Sequence, residues 1–326
     1  MAKPRILVVA LGGTISMTPS AGGGITPKLT GADLVAAVPE LEQVADVDPR
    51  SPFQLPGASL TLTQLAEVAA LIDAECAKGA AGAVVVQGTD TIEETAFVMG
   101  CLVQADGPVV VTGAMRGPQM PGAEGPANLL AAVTVAAQGA AGLGATVVLN
   151  DEVHAARFVR KGHTGLPSAF TSPPFGPIGH VIEGRFVQAM RPAPLRKQRV
   201  NAGADVPPVA LIHIGLGDDG RLPGALPGLG YKGAVLVAMG AGHVPAAMVD
   251  PVAKLIETMP VVLTSRIDAG PVFANTYGFA GSEIDLLARG VIHGAALGPL
   301  KARLLLQLLL ANGTARAEMP RAFAEA

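Results

Sequence analysis

Two apolar runs in this chain end in glycine–threonine turns, and together they limit its folds more than any other feature. Ile6-Leu7-Val8-Val9-Ala10 runs into Leu11-Gly12-Gly13-Thr14-Ile15, and Ala83-Val84-Val85-Val86-Gln87 runs into Gly88-Thr89-Asp90-Thr91. Short, near-continuous apolar runs rich in valine and isoleucine read as strands buried on both faces, the habit of parallel sheets covered by helices. Turns leaving the carboxyl ends of parallel strands share one sheet edge, where α/β proteins bind ligands. Two hydroxyls, a carboxylate and several glycine-freed backbone amides are therefore expected in one small volume. Neither turn has the glycine spacing of a dinucleotide or phosphate loop, so the pair reads as equipment for acyl transfer.

The rest of the chain repeats the strand–helix alternation. A short helix is expected from Asp33 to Val38, and a longer one from about Thr63 to Ala77, with Thr61 and Gln64 at capping-box spacing. Thr91 and Glu94 repeat that spacing, which predicts a helix starting at Thr91 with Thr91 as its cap. A strand at Pro108–Thr112, a helix across Ala127–Ala137 and a strand at Ala145–Leu149 follow. Between about Arg185 and Pro208 the composition changes, with Pro192, Pro194, Pro207 and Pro208 among basic and polar residues. Strands then return at Val209–Ile214, Ala234–Ala238 and Val261–Leu263, with helices between Pro245 and Thr258 and from Leu300 to Leu310. This pattern predicts an α/β protein with a larger N-terminal domain, 1–190, on a doubly wound, mostly parallel sheet. A linker, 191–208, leads to a smaller C-terminal α/β domain, 209–326.

Composition narrows the function. The 326 residues are 50% hydrophobic but only 3% aromatic, with no Trp, so packing falls to Ala, Val, Leu and Ile. A net charge of -3 gives no electrostatic reason to expect nucleic acid or an anionic membrane as partner. The one basic cluster, Arg191–Arg199, is broken by prolines, lacks aromatics and reads as a solvated linker. Cys76 and Cys101 fall in separate expected helices, which predicts reduced thiols rather than a disulfide or a zinc site. His213 and His243 stand apart and read as structural or rim residues, so no metal is expected. Met1-Ala2-Lys3-Pro4 leads straight into a strand and no apolar run approaches a membrane span, which predicts a soluble, cytoplasmic protein.

Several further motifs fall in order: GGTI at Gly12–Ile15, QGTDTIEETAF at Gln87–Phe97, VVTGAMR at Val110–Arg116, GPANLLAAV at Gly125–Val133, RFVRKGHT at Arg157–Thr164, and TSR at Thr264–Arg266. Each alone is weak; the ordered set resembles the bacterial-type L-asparaginase (asparaginase/glutaminase) family nearly end to end, as far as KARLLLQLLL at Lys301–Leu310. The resemblance implies that Thr14 is the nucleophile attacking a side-chain amide carbonyl. Thr89 is the implied second catalytic threonine, linked to Lys161 and Asp90. Ser59 is implied to hold the substrate's α-carboxylate, Asp90 its α-ammonium, and Glu283 to reach a neighbouring subunit's site. It further implies no cofactor, a small amide substrate, and a homodimer or homotetramer with sites between paired subunits.

The chemistry of these residue types agrees with the implied roles. An alkyl hydroxyl needs a base to become a nucleophile near neutral pH. A lysine serves as that base only when burial or a neighbouring cation destabilises its ammonium; Asp90 pulls the other way, and Arg157 and Arg160 oppose that pull. Gly12, Gly13 and Gly88 let backbone amides approach an oxyanion, donors worth roughly 3–4 kcal/mol each in other acyl-transfer enzymes.

Three departures from the family pattern stand out. The family's lid tyrosine is missing from Ala21-Gly22-Gly23-Gly24-Ile25-Thr26, the only tyrosines being Tyr231 and Tyr277. Leu60 stands where a glutamine usually follows the carboxylate-binding serine, and Gly122-Ala123-Glu124-Gly125 replaces the usual Ser-Ala-Asp-Gly. The expected reaction is hydrolysis of L-asparagine to L-aspartate and ammonia through a threonyl acyl-enzyme. The alternative is hydrolysis of another small amide by the same chemistry: glutamine, a D-amino acid amide, or an amide without an α-amino group. An amidotransferase subunit or a catalytically silent binding protein fits less well.

Overall fold

The first strand, Arg5–Ala10, pairs in parallel with Gly82–Val86 on one side and Asp46–Arg50 on the other. Ile6 through Val9 have no measurable exposure, as expected of a strand covered on both faces. The computed structural model describes residues 2–19, 25–27, 29–200, 203 and 205–326. The glycine-rich loop singled out above, 21–24, lies outside the described residues.

An eight-stranded sheet organises the first unit, with Arg5–Ala10 next to one edge. Its parallel part runs Asp46–Arg50, Arg5–Ala10, Gly82–Val86, Val109–Thr112 and Ala145–Leu149. Asp46–Arg50 is the edge strand and carries Pro49, which an edge tolerates because no neighbour needs the missing N–H. The sheet then continues antiparallel through Glu152–Ala155, Gly179–Ile182 and Arg185–Gln188. Two tight turns make the reversals: Asn150 and Asp151 have φ 53° and 60°, and Glu183 and Gly184 have φ 50° and 71°. Paired left-handed residues match the natural twist of a hairpin, and asparagine, aspartate and glycine adopt them most readily.

The helices follow the sequence reading closely. Leu62–Ala77 is capped by the Thr61–Gln64 box, and Gly125–Gln138 and Ile92–Leu102 fill the other expected places. The expected cap at Thr91 does not form: its hydroxyl makes no capping bond, and a single 3-10 turn, Thr89–Thr91, precedes the helix.

The second unit carries a four-stranded parallel sheet of Val209–His213, Gly233–Ala238, Val261–Ser265 and Ile292–His293. Helices Val249–Thr258 and Pro299–Ala311 accompany it. The chain divides into compact units built on Met1–Lys197 and Ala204–Ala326.

Part of the basic stretch read as solvated is pinned down. Lys197, though exposed overall, donates to the Gly100 carbonyl at 3.2 Å, and partial burial lowers its pKa. Both cysteines are free. Burial pushes the Cys101 thiol up to about 12, which keeps it protonated and unreactive. Among the described residues no helix is long and apolar enough to cross a membrane.

Candidate active site

Sheet register brings the two threonine turns level. Ala10 sits opposite Val86, and Leu11 N–H donates to the Val86 carbonyl at 2.8 Å, so both chains leave the sheet together. The turns then touch through their backbones. A Cβ on Gly13 would lie 1.9 Å from Gly88 N, and one on Gly12 would lie 2.5 Å from the Leu55 carbonyl oxygen. Both glycines also have positive φ, 109° at Gly12 and 88° at Gly13. No other residue supplies that conformation without a Cβ. Thr14 and Thr89, the next residue in each turn, therefore start from adjoining backbone. Thr14 opens the 3-10 turn Thr14–Ser16 and is half-buried; Thr89 is 6% exposed.

Lys161 arrives from far along the chain. Its Nζ donates to Thr89 Oγ1 at 3.0 Å and to Asp90 Oδ1 at 3.0 Å. The lysine side chain is 17% exposed, whereas Asp90 is 66% exposed, leaving its outer face open to a ligand. The backbone N–H of Lys161 donates to Glu93 Oε1 at 3.4 Å, tying it to the first turn of the helix after Thr91.

Lys161 is held by a two-stranded ladder, Arg160–Lys161 against Phe170–Thr171. The residue after that ladder, Ser172, is 2% exposed and meets His154 Nδ1 at 2.9 Å, while His154 Nε2 faces Glu152 Oε2 at 3.2 Å. His154 belongs to the eight-stranded sheet and is 1% exposed, so it links the sheet to the ladder carrying Lys161. Burial lowers its pKa against the opposing pull of Glu152. Of the flanking arginines, Arg157 donates to the Pro194 carbonyl at 3.4 Å.

A third turn, Gly57–Ser59, adjoins the other two. Leu55 N–H donates to the Leu11 carbonyl at 2.8 Å, anchoring this loop beside the Thr14 turn. Ser59 is exposed and Leu60 half-buried. Thus Thr14, Ser59, Gly88, Thr89, Asp90 and Lys161 come from three adjoining turns and one ladder of the same unit.

Glu283 lies in the second unit. It has no exposure, and its Oε1 accepts the backbone N–H groups of Thr276 and Tyr277 at 2.9 and 2.7 Å. Burial pushes its pKa up, but those two bonds and nearby His243 more than offset the push, so it stays below the usual glutamate value. His243 Nε2 stands 3.3 Å from Glu283 Oε2, and its ring meets Tyr277 and Phe279 edge-on. Glu283 thereby organises the segment 276–279, in which Tyr277 and Phe279 are 41% and 51% exposed.

Sequence reasoning missed several supporting residues. Glu124 accepts the backbone N–H groups of Met115 and Arg116, so this departure from the family pattern closes a turn. Asn128 donates to the Gly113 carbonyl at 2.9 Å and accepts from Asn150 N–H at 3.0 Å. The chain also contains one dinucleotide-type glycine spacing, Gly215-Leu216-Gly217-Asp218-Asp219-Gly220. There Asp218 Oδ2 accepts Gly215 N–H at 2.7 Å and Asp219 accepts Arg221 N–H at 3.2 Å, ahead of a five-residue helix. The Gly215 and Arg221 amides are thus engaged by carboxylates, so the glycine spacing alone does not make this a phosphate loop.

Known proteins resemble this chain over nearly its whole length. Residues 5–193 match the family described as Asparaginase, N-terminal, and residues 208–323 match the Glutaminase/Asparaginase C-terminal domain. A probable L-asparaginase of Deinococcus radiodurans is 36% identical, over 99% of this chain and 98% of its own. L-asparaginase 2 of Escherichia coli is 33% identical, over 95% of this chain and 90% of its own. The crystal structure of a probable cytoplasmic L-asparaginase from Campylobacter jejuni aligns with a TM-score of 0.87 at 30% identity, covering 99% of this chain and 100% of that one. With both domain models matched in order and full-length relatives above 30% identity, the chain belongs to the asparaginase family of enzymes.

Proposed function

We propose that the protein hydrolyses the side-chain amide of L-asparagine to L-aspartate and ammonia, using Thr14 as nucleophile. The observation that carries this reading is Lys161 Nζ, 3.0 Å from both Thr89 Oγ1 and Asp90 Oδ1, beside the Gly12-Gly13-Thr14 turn. Thr14 Oγ attacks the amide carbon and gives up its proton, and the tetrahedral intermediate expels ammonia to leave an ester on Thr14. Water then attacks that ester, releasing aspartate and restoring the hydroxyl. Backbone amides of the glycine turns face the developing oxyanion. The Thr89–Lys161 pair handles the proton: with Lys161 as the neutral amine, the pair takes the proton from Thr14 as its oxygen attacks and returns it to the nitrogen that leaves as ammonia. In this reading exposed Asp90 pairs with the substrate's α-ammonium and exposed Ser59 holds its α-carboxylate; their exposure supports both roles.

Leu60 favours the second reading, hydrolysis of another small amide, because an apolar wall replaces a polar contact beside Ser59. Ammonia release from a panel of L-asparagine, L-glutamine, D-asparagine and succinamic acid decides between the two. Fastest turnover of L-asparagine supports the first reading; fastest turnover of succinamic acid, which has no α-ammonium, supports the second.

We also propose a homodimer or homotetramer. Exposed Phe273, Tyr277 and Phe279 crowd one segment of the second unit, more apolar surface than isolated exposed residues explain. Glu283 is fully buried and offers no atom of its own to a neighbour, so its part in a neighbouring subunit's site would be to hold this segment in place. A cytoplasmic location agrees with the free thiols of Cys76 and Cys101 and is checked by cell fractionation.

A further inference from the structure

The hydroxyl of Thr91 does something its position does not call for. A threonine before the first residue of a helix usually turns its oxygen back to one of the free N–H groups of the first turn. Thr91, with φ -123° and ψ 17°, makes no such bond. Instead Oγ1 donates out of the helix to the carbonyl of Gly57 at 2.9 Å. Gln87, which has no exposure, donates its Nε2 to the same Oγ1 at 3.0 Å and to the Gly88 carbonyl at 3.2 Å. The amide fills the acceptor side of the hydroxyl and leaves its proton directed at Gly57.

This bond joins two ligand-bearing turns. Gly57 opens the single turn Gly57–Ser59, and its carbonyl also accepts Leu60 N–H at 3.3 Å. Ser59 N–H closes the turn onto the Pro56 carbonyl at 2.9 Å. Thr91 ends the turn that carries Thr89 and Asp90. The two backbones already touch, since a Cβ on Gly57 would lie 2.8 Å from the Gly88 carbonyl oxygen. Leu55 is fixed separately to Leu11, so the loop is held at one point toward Thr14 and at another toward Asp90.

We infer that Thr91 is a positioning residue whose hydroxyl sets the distance between Ser59 and Asp90, and hence the span over which the two charged ends of an amino acid are gripped. The inference rests on the proposed reading that Ser59 and Asp90 take those ends. Thr91 touches neither substrate nor reacting atoms, so its loss loosens ground-state binding more than it slows the chemical step. A grip on the two charges acts alike on substrate and transition state, and uniform binding of that kind appears in KM rather than kcat.

The test compares kcat and KM for L-asparagine, and the competitive inhibition constant of L-aspartate, in the parent and in Thr91→Val, Thr91→Ala and Thr91→Ser. Val and Ala are expected to raise both KM and the aspartate inhibition constant about tenfold, about 1.4 kcal/mol. Their kcat stays within about threefold of the parent, and Ser, which keeps the hydroxyl, restores the parent's constants. If Thr91→Val does not fold, the contrast between Ala and Ser carries the test alone. The inference is overturned by Val and Ala variants with the parent's KM, by Ser as weak as Ala, or by a fall in kcat at unchanged KM. A parent that releases no ammonia from L-asparagine overturns the functional reading and this inference together. An active parent with indifferent variants overturns this inference only.

Discussion

At the scale of single residues, the site depends on groups whose meaning changes with their neighbours. Lys161 is an ordinary lysine until the ladder places its Nζ 3.0 Å from Thr89 Oγ1. Lys161→Met keeps a chain of similar length but holds no proton, so turnover should fall by at least ~1,000-fold, a barrier rise of ~4 kcal/mol. Steady-state ammonia release measures this, and a variant within about tenfold of the parent would remove Lys161 from the proton path. Leu60 is the residue-scale lever on affinity. Leu60→Gln restores a polar contact beside Ser59 and should lower KM for L-asparagine by about threefold or more, with kcat little changed. An unchanged or raised KM would mean that position 60 does not face the substrate.

At the scale of elements, the turns matter more than the strands they leave. Gly13→Ala forces a Cβ to within 1.9 Å of Gly88 N at φ 88°, so the Thr14 and Thr89 turns must part. Thermal unfolding and turnover should both drop, and retained turnover would show that the turns need not touch.

The link from the sheet to the Lys161 ladder brings a pH dependence. Burial keeps His154 neutral in the fold, whereas in the unfolded chain it takes up a proton near about pH 6.5. Stability from this group is therefore present above about pH 6.5 and lost as pH falls through its lower folded value. His154→Gln should flatten the fall in urea-unfolding free energy between about pH 7 and about pH 5, and a fall as steep as the parent's would contradict this.

Most of the parallel strands and their helices were legible in the sequence because their signals are local: apolar runs, glycine exits and the Thr61–Gln64 box, which forms as read; Asp46–Arg50 and Ile292–His293, with no apolar run, were not. The antiparallel extension was not, since its cues are two short left-handed pairs, Asn150-Asp151 and Glu183-Gly184. In the proposed site, Thr14, Thr89, Asp90 and Lys161 were picked out through ordered motifs. The roles of Thr91, Glu124 and His154 were not, because their partners Gly57, Met115 and Ser172 lie beyond the reach of helix or turn spacing and no short pattern encodes such bonds. Thr91 shows how a local rule misleads: capping-box spacing was present, but its hydroxyl oxygen accepts from Gln87 and its proton goes to Gly57, both outside the helix.

At the scale of the whole molecule, a sheet of small aliphatic residues supplies the frame and three of its exits supply the chemistry. Gly12, Gly13, Gly57 and Gly88 let backbone meet backbone where side chains would hold the turns apart. The second unit adds a buried carboxylate, Glu283, that shapes an exposed aromatic segment. If that segment serves a neighbouring subunit, Tyr277→Asp should shift the molecular mass in solution toward the monomer and lower turnover together; light scattering with chromatography reads the mass. Loss of the assembly with full turnover would place the site within one chain. The central claim, a threonine-borne amide hydrolysis, is tested most directly by kcat/KM for L-asparagine in the parent and in Thr14→Ala. The account predicts ammonia release by the parent and a loss of at least ~1,000-fold in the variant, ~4 kcal/mol of barrier, with melting temperatures nearly equal. A Thr14→Ala protein that folds and keeps turnover within about tenfold of the parent would contradict it.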